Sequence, residues 1–250
     1  IEDAVSIAEK QPGKEVVFMA VGFETTAPST AAVVLNNPPK NFSLLCCHRL
    51  IPPALKAIVE MGEIKIDGFI EPGHVATIIG VKPFSFLSEE YHIPQVITGF
   101  EPIDLLMAAW LLVKQIKNDE PTIQNEYTRA VKNEGNITAQ NLLDNVFDIE
   151  DKDWRGFSTI PLSGLKLKST YEQFDARKKF VNDLNELKNK TFSEPKGCRC
   201  GELLRGLISP EDCPLFGITC TPSHPVGPCM VSDEGSCHIT FKYSKERKKL

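Results

Sequence analysis

Six of the eight cysteines crowd the C-terminal end of this 250-residue chain, at Cys198, Cys200, Cys213, Cys220, Cys229 and Cys237. Gly and Pro interrupt the stretch, and it carries no helical or strand periodicity that would build an ordinary core. Cross-linking chemistry must therefore supplement burial there. Disulfides, zinc thiolates or an iron–sulfur cluster can do it, and each constrains the fold differently.

The rest of the chain is that of a globular protein. With 42% hydrophobic residues and a net charge of -5, it can bury a sizeable core and hold two or three domains. The acidic balance argues against nucleic-acid binding, and the basic run from Lys242 to Lys249 reads as a solvated tail. No apolar run reaches the roughly 20 residues a membrane helix needs. The opening Ile1-Glu2-Asp3 lacks the basic and apolar regions of a signal peptide. A cytoplasmic location, with no membrane partner, is the expectation.

The first half alternates strand and helix. Val16 to Val21 is a short apolar run ending at Gly22, and Pro28 to Leu35 reads as a helix with Thr25 or Thr26 as N-cap. Phe42 to Cys46 then precedes a helix from Pro53 to Met61 that stops at Gly62, and Gly68-Phe69-Ile70 leads into Glu71-Pro72-Gly73. Such alternation predicts parallel sheets covered by helices, with ligands at the carboxyl ends of the strands.

One strand-to-helix loop occurs twice, as Gly22-Phe23-Glu24-Thr25 and as Gly99-Phe100-Glu101-Pro102. The repetition predicts two related α/β domains facing a cleft, with Glu24, His74, Glu101 and Asp104 converging on a polar space and Phe23 and Phe100 packed inward. The plainer alternative is a pair of ordinary glycine turns, each with a Glu near a helix dipole. His74 follows a strand, where it could act as acid, base or ligand, or serve only structure. Cys46 and Cys47 stand beside His48, which could suggest a reactive thiol with a base, but adjacent cysteines on a strand point to opposite faces, so at least one of the two is expected to serve packing. From 118 to 190, helical spacing at 139–147 and 172–187 flanks an irregular or short-strand segment at 154–165, and this stretch is expected to complete the second domain.

Spacing alone leaves all three devices open for the cysteines. A cytoplasmic setting disfavours disulfides, paired zinc knuckles are missing, and Pro beside Cys213 and Cys229 with Gly201, Gly217, Gly227 and Gly235 suits a backbone curled around an iron–sulfur cluster.

Longer motifs then carry a resemblance. Cys198-Arg199-Cys200-Gly201-Glu202, Asp212-Cys213-Pro214-Leu215-Phe216-Gly217, Cys220-Thr221-Pro222 and Pro225 through Gly235 resemble the C-terminal signature of the HypD family of hydrogenase maturation factors. The segments from Gly22 to Pro28, Glu71 to His74 and Thr98 to Asp104 resemble the other motifs of that family in the same order.

The resemblance implies a scaffold on which the Fe(CN)2CO unit of [NiFe] hydrogenase is assembled, with a HypC-type chaperone as partner and a HypE-type protein delivering cyanide. It implies two similar parallel-sheet α/β domains, at 1–94 and 95–190, and a small irregular [4Fe-4S] domain at 191–250. The family's C-x14-C-x6-C-x16-C ligand spacing falls on Cys198, Cys213, Cys220 and Cys237. Cys200 and Cys229 are left as a redox dithiol that could pass electrons onward. The resemblance further implies an N-terminally truncated member that lacks an upstream cysteine segment and with it the main thiol ligand of the iron cargo. Such a protein is a redox-active scaffold rather than a multiple-turnover enzyme. Two other readings stay open: an iron–sulfur-linked thiol–disulfide reductase acting on a partner protein, and a zinc-stabilised binding module.

Overall fold

The computed structural model describes residues 1–188 and 195–247. Lys248 and Lys249 of the basic run, and the expected boundary at 190/191, lie outside the described residues. In chain order the elements are α1 (Glu2–Lys10), β1 (Val16–Gly22), α2 (Ala27–Leu35), β2 (Phe42–His48), α3 (Ile51–Glu60), β3 (Phe69–Pro72), α4 (Gly73–Ile79), α5 (Phe86–Glu89), β4 (Gln95–Thr98) and α6 (Pro102–Asn118). They continue with β5 (Ile123–Asn125), α7 (Ile137–Val146), β6 (Phe147–Asp153), β7 (Thr159–Leu167), α8 (Ala176–Lys179), α9 (Val181–Lys188), α10 (Cys200–Leu204), α11 (Pro228–Val231) and α12 (Ser236–Arg247). The fold is mixed α/β with parallel sheets, as expected, and among the described residues no sheet closes into a barrel. No helix there is long and apolar enough to cross a membrane.

The chain divides into two compact units. The first takes residues 1–56, 67–152 and 161–190; the second takes 57–66, 153–160 and the C-terminal segment from 191.

In the first unit β1 and β2 pair in parallel from Val16 opposite Phe42 to Gly22 opposite His48. β1 alternates: Ala20 is buried while Met19 and Val21 are 60% and 63% exposed, the period of two that a half-covered strand requires. Small residues at Ala27 and Ala31 sit in the same core as Ala20, Leu44 and Cys46. The N-cap position of α2 is Thr26, yet its hydroxyl donates to the Phe23 carbonyl at 3.2 Å and makes no cap bond; Pro28 supplies the start signal instead.

β3, β4 and β5 form a second parallel sheet, with Phe69 opposite Gln95 and Ile97 opposite Asn125. Its core holds Val75, Ala76, Phe84, Ile97, Tyr127 and Val131, with Ile51 and Leu55 of α3 against it. The fully buried Gln95 donates through Nε2 to Ser88 Oγ at 2.7 Å, and its backbone carbonyl accepts from Gln115 Nε2 at 3.1 Å, which ties β4 to α6, while its side-chain Oε1 is buried without a partner.

The stretch after β5 departs from expectation. Val146, Phe147, Leu165, Leu167 and Phe174 bury with the first sheet rather than the second. The backbone accounts for it: Leu50 N–H donates to the Ser163 carbonyl at 2.9 Å, and Leu44 bridges to Asp175, so the return segment covers β2. Each large apolar side chain sequestered there contributes about 1.5–3 kcal/mol. The helical spacing at 172–187 resolves into a 3-10 turn, α8 and α9, broken at Phe180.

The second unit has a core made largely of sulfur. Cys200, Cys220, Cys229, Met230 and Cys237 are buried together, flanked by Leu203, Leu204, Leu215, Phe216, Val226 and Phe241. Cysteine thus acts here as the small hydrophobe that the surrounding Gly and Pro do not provide.

Candidate functional site

Two places gather chemistry-bearing side chains. The first is the strand-to-helix loops. Glu24 is buried, and its Oε1 accepts from the Ile51 N–H at 2.9 Å, at the first turn of α3. Its Oε2 is buried without a partner, and burial raises the carboxyl to about 7 against the pull of hydrogen bonds from its own amide and that of Ile51. Glu71, at the end of β3, is 1% exposed with Oε1 unpartnered, and burial raises it to about 8.

The second Gly-Phe-Glu loop is organised by a residue that sequence reading missed. Arg129 donates to Asp104 through Nη1 at 3.0 Å and Nη2 at 2.5 Å, and Nη2 also lies 3.0 Å from Glu101 Oε2. Those bonds hold the Asp104 carboxyl below the usual carboxylate range. The guanidinium lies over the Tyr127 ring at 4.5 Å. His74 is exposed, 4.8 Å from Phe100 and 6.2 Å from Tyr127 between ring centroids. Glu101, Asp104 and His74 are therefore joined through Arg129, Tyr127 and Phe100, while Glu24 bonds at α3. Phe23 and Phe100 do not pack inward: they are 40% and 58% exposed, while Glu24 and Asp104 take the interior of the two loops.

Gly99 closes this loop tightly. A methyl there would lie 2.2 Å from Asp104 Oδ2 and 2.6 Å from Glu101 Oε2. Gly99→Ala should lower unfolding stability by about 1–3 kcal/mol through overpacking. Gly13→Ala, whose methyl would meet nothing within 4 Å, is the control. Equal denaturation midpoints for the two variants would contradict the close fit.

The Cys46–His48 pairing does not form. Cys46 is buried, donates to the Leu165 carbonyl at 3.2 Å and is pushed up to about 11 by burial, which leaves it an inert thiol. His48 Nε2 lies 3.0 Å from Thr30 Oγ1, and burial lowers its pKa, keeping the ring neutral.

The second place is the thiol core. All eight cysteines are free. Cys200 is buried there with Cys220, Cys229 and Cys237, and its Sγ lies 3.4 Å from that of Cys198. Gly227 presses on it: a methyl there would meet Cys198 Sγ at 2.5 Å and Cys200 Sγ at 2.7 Å. Cys220 Sγ accepts from the Val226 N–H at 3.4 Å, and Cys213 Sγ lies 3.9 Å from the Gly197 carbonyl. Among the described residues no three His, Cys, Asp or Glu side chains converge as ligands of a single ion. Ligands of an iron–sulfur cluster each hold a different iron and stand further apart. Soft thiol donors in a buried setting, with an amide donating to one sulfur, fit such a cluster by their chemistry. Arg129 and Tyr127 had no local signal in the sequence; Glu71 did, as the acid opening Glu71-Pro72-Gly73-His74, and Gly227 did, as one of the glycines among the C-terminal cysteines.

Comparison with known proteins adds the lineage. A family model described as HypD, hydrogenase formation hypA family, matches residues 1–244. The chain is 47% identical over 248 residues to a Methanocaldococcus jannaschii protein assigned to hydrogenase expression/formation, covering 98% of this chain and 68% of that one. It is 45% identical over 255 residues to the hydrogenase maturation factor HypD2 of Bradyrhizobium diazoefficiens, and 41% identical over 253 residues to HypD of Cupriavidus necator, covering 66% and 65% of those proteins. The chain thus spans about two thirds of the length of these relatives.

Proposed function

The chain belongs to the HypD family, and from that premise we propose that it serves hydrogenase maturation as an iron–sulfur scaffold. The observation that carries this reading is the buried thiol core of the second unit. Cys198, Cys213, Cys220 and Cys237 would hold a [4Fe-4S] cluster, which when bound supplies one-electron transfer. The apolar rim of Leu203, Leu215, Phe216 and Phe241 keeps water from the sulfurs. Cys200 and Cys229 form the dithiol: as a disulfide they take up two electrons and two protons, and on reoxidation they release both. The Fe(CN)2CO fragment is cargo, assembled with a HypC-type chaperone and cyanide delivered by a HypE-type protein. Glu24, His74, Glu101 and Asp104 at the strand ends are the polar groups proposed to meet it. Free thiols around a cluster fit a reducing, cytoplasmic setting.

A second reading, a thiol–disulfide reductase acting on a partner protein, is favoured by the burial of Cys200 and Cys229 in one thiol core. Turnover of an external protein disulfide would separate it from a scaffold. The scaffold reading is tested by purifying the chain without oxygen: the expected result is a brown protein containing iron and acid-labile sulfide in equal amounts. Zinc without sulfide, or a colourless protein with paired cystines, would overturn it.

A further inference from the structure

The hairpin tip between β6 and β7 belongs to the same compact unit as the thiols and reaches them from far along the chain. Arg155 Nη2 donates to the Val226 carbonyl at 2.7 Å, across 71 positions. The Val226 peptide is therefore held from two directions, since its N–H donates to Cys220 Sγ. The next residue is Gly227, whose backbone lies directly on the Cys198 and Cys200 sulfurs, and Pro228-Cys229 then opens α11. Gly156 touches both thiol-bearing elements: a methyl there would lie 3.6 Å from Pro228 Cγ and 3.9 Å from Cys200 Cβ. Its carbonyl stands against Gly201, at the start of α10.

We propose that Arg155 is a positioning residue for the Cys200–Cys229 dithiol, an inference that rests on the dithiol reading above. The guanidinium fixes the turn from Val226 to Cys229, and the Gly156 backbone keeps that turn against the start of α10, so Cys200 and Cys229 keep their places in one core. Neither helix needs Arg155 to fold, because Leu203, Leu204 and Met230 pack in the core while Arg155 is exposed. A role confined to stability would show in the unfolding midpoint. A positioning role shows in thiol chemistry and local exchange.

The test uses the full chain and Arg155→Gln, with Arg155→Lys and Gly227→Ala alongside. Diamide, an azodicarboxamide, oxidises the dithiol: two thiols give up two electrons and two protons, one S–S bond forms, and diamide becomes the hydrazine. Peptide mass spectrometry follows the Cys200–Cys229 cystine. Arg155→Gln should slow its formation about tenfold, the effect of one lost charge-assisted hydrogen bond, with an unchanged unfolding midpoint. Arg155→Lys should recover part of the rate, and Gly227→Ala should slow it with Arg155 intact. Amide hydrogen exchange across 226–231 should rise in Arg155→Gln. Cystine formation at the parent rate, or a rate loss matched by a lowered midpoint, overturns the proposal. If the parent itself forms no Cys200–Cys229 cystine, the dithiol reading falls, and exchange across 226–231 alone decides Arg155: unchanged protection overturns its role and faster exchange upholds it.

Discussion

Replacing Cys198, Cys213, Cys220 or Cys237 by Ser, one at a time, should strip most of the iron from the anaerobically purified chain, whereas Cys200→Ser and Cys229→Ser should retain it. A serine hydroxyl is a hard, protonated donor at neutral pH, and iron–sulfur ligation requires a soft thiolate. The fold makes the experiment discriminating rather than routine. Cys200 touches Cys198 and shares its buried core with Cys229 and Cys237, so its setting alone would allow it to be a ligand. Iron and sulfide content, read with the visible spectrum of each variant, assigns the roles. Loss of iron in Cys200→Ser, with full iron in any one of the four, would move Cys200 into the ligand set and dissolve the proposed dithiol.

The second large effect is on stability against pH. Burial holds the Glu71 carboxyl at about 8 in the folded chain, against an ordinary value of 4.5. A raised carboxylate contributes stability that is fully present below the ordinary value and is lost as pH rises through the folded one. The gap of about 3.5 pH units, at ~1.4 kcal/mol each, makes that loss about 5 kcal/mol by pH 9. Glu24, held at about 7, adds about 3 kcal/mol in the same direction. Glu71→Gln removes the charge and keeps the shape. The stability difference between variant and parent in urea should therefore be near zero at pH 4.5 and reach about 5 kcal/mol in favour of the variant at pH 9. Asp104, Glu172 and Glu202 are shifted downward and act only at more acid pH, and His48 is common to both proteins, so the difference isolates Glu71. A pH-independent difference would refute the buried, neutral carboxyl.

The strands at 16–22, 42–48 and 95–98, the helices that follow the first two, and the loops between them were legible because period and punctuation are local properties. Asp104 and Glu101 were legible as acids beside a glycine turn. Arg129 was not, since it stands 25 positions from Asp104 and meets it only when β5 pairs with β4. The outward Phe23 and Phe100 were misread for a related reason: a side chain's direction at a turn depends on which neighbour takes the interior, and here Glu24 and Asp104 do.

By itself the sequence determined the alternation that makes parallel sheets, the thiol content of the C-terminal segment and the motifs of the HypD family, because each is written in residue order and spacing. Only the tertiary structure decided that Val146, Phe147, Leu165, Leu167 and Phe174 close the first core, that residues 57–66 and the hairpin tip 153–160 join the thiol unit, and that Cys200 meets Cys198 within it. Those outcomes depend on apolar surfaces and backbone groups finding partners far along the chain. Which partner wins is a matter of the packing and hydrogen bonds available in the folded state, and no local window of sequence contains it.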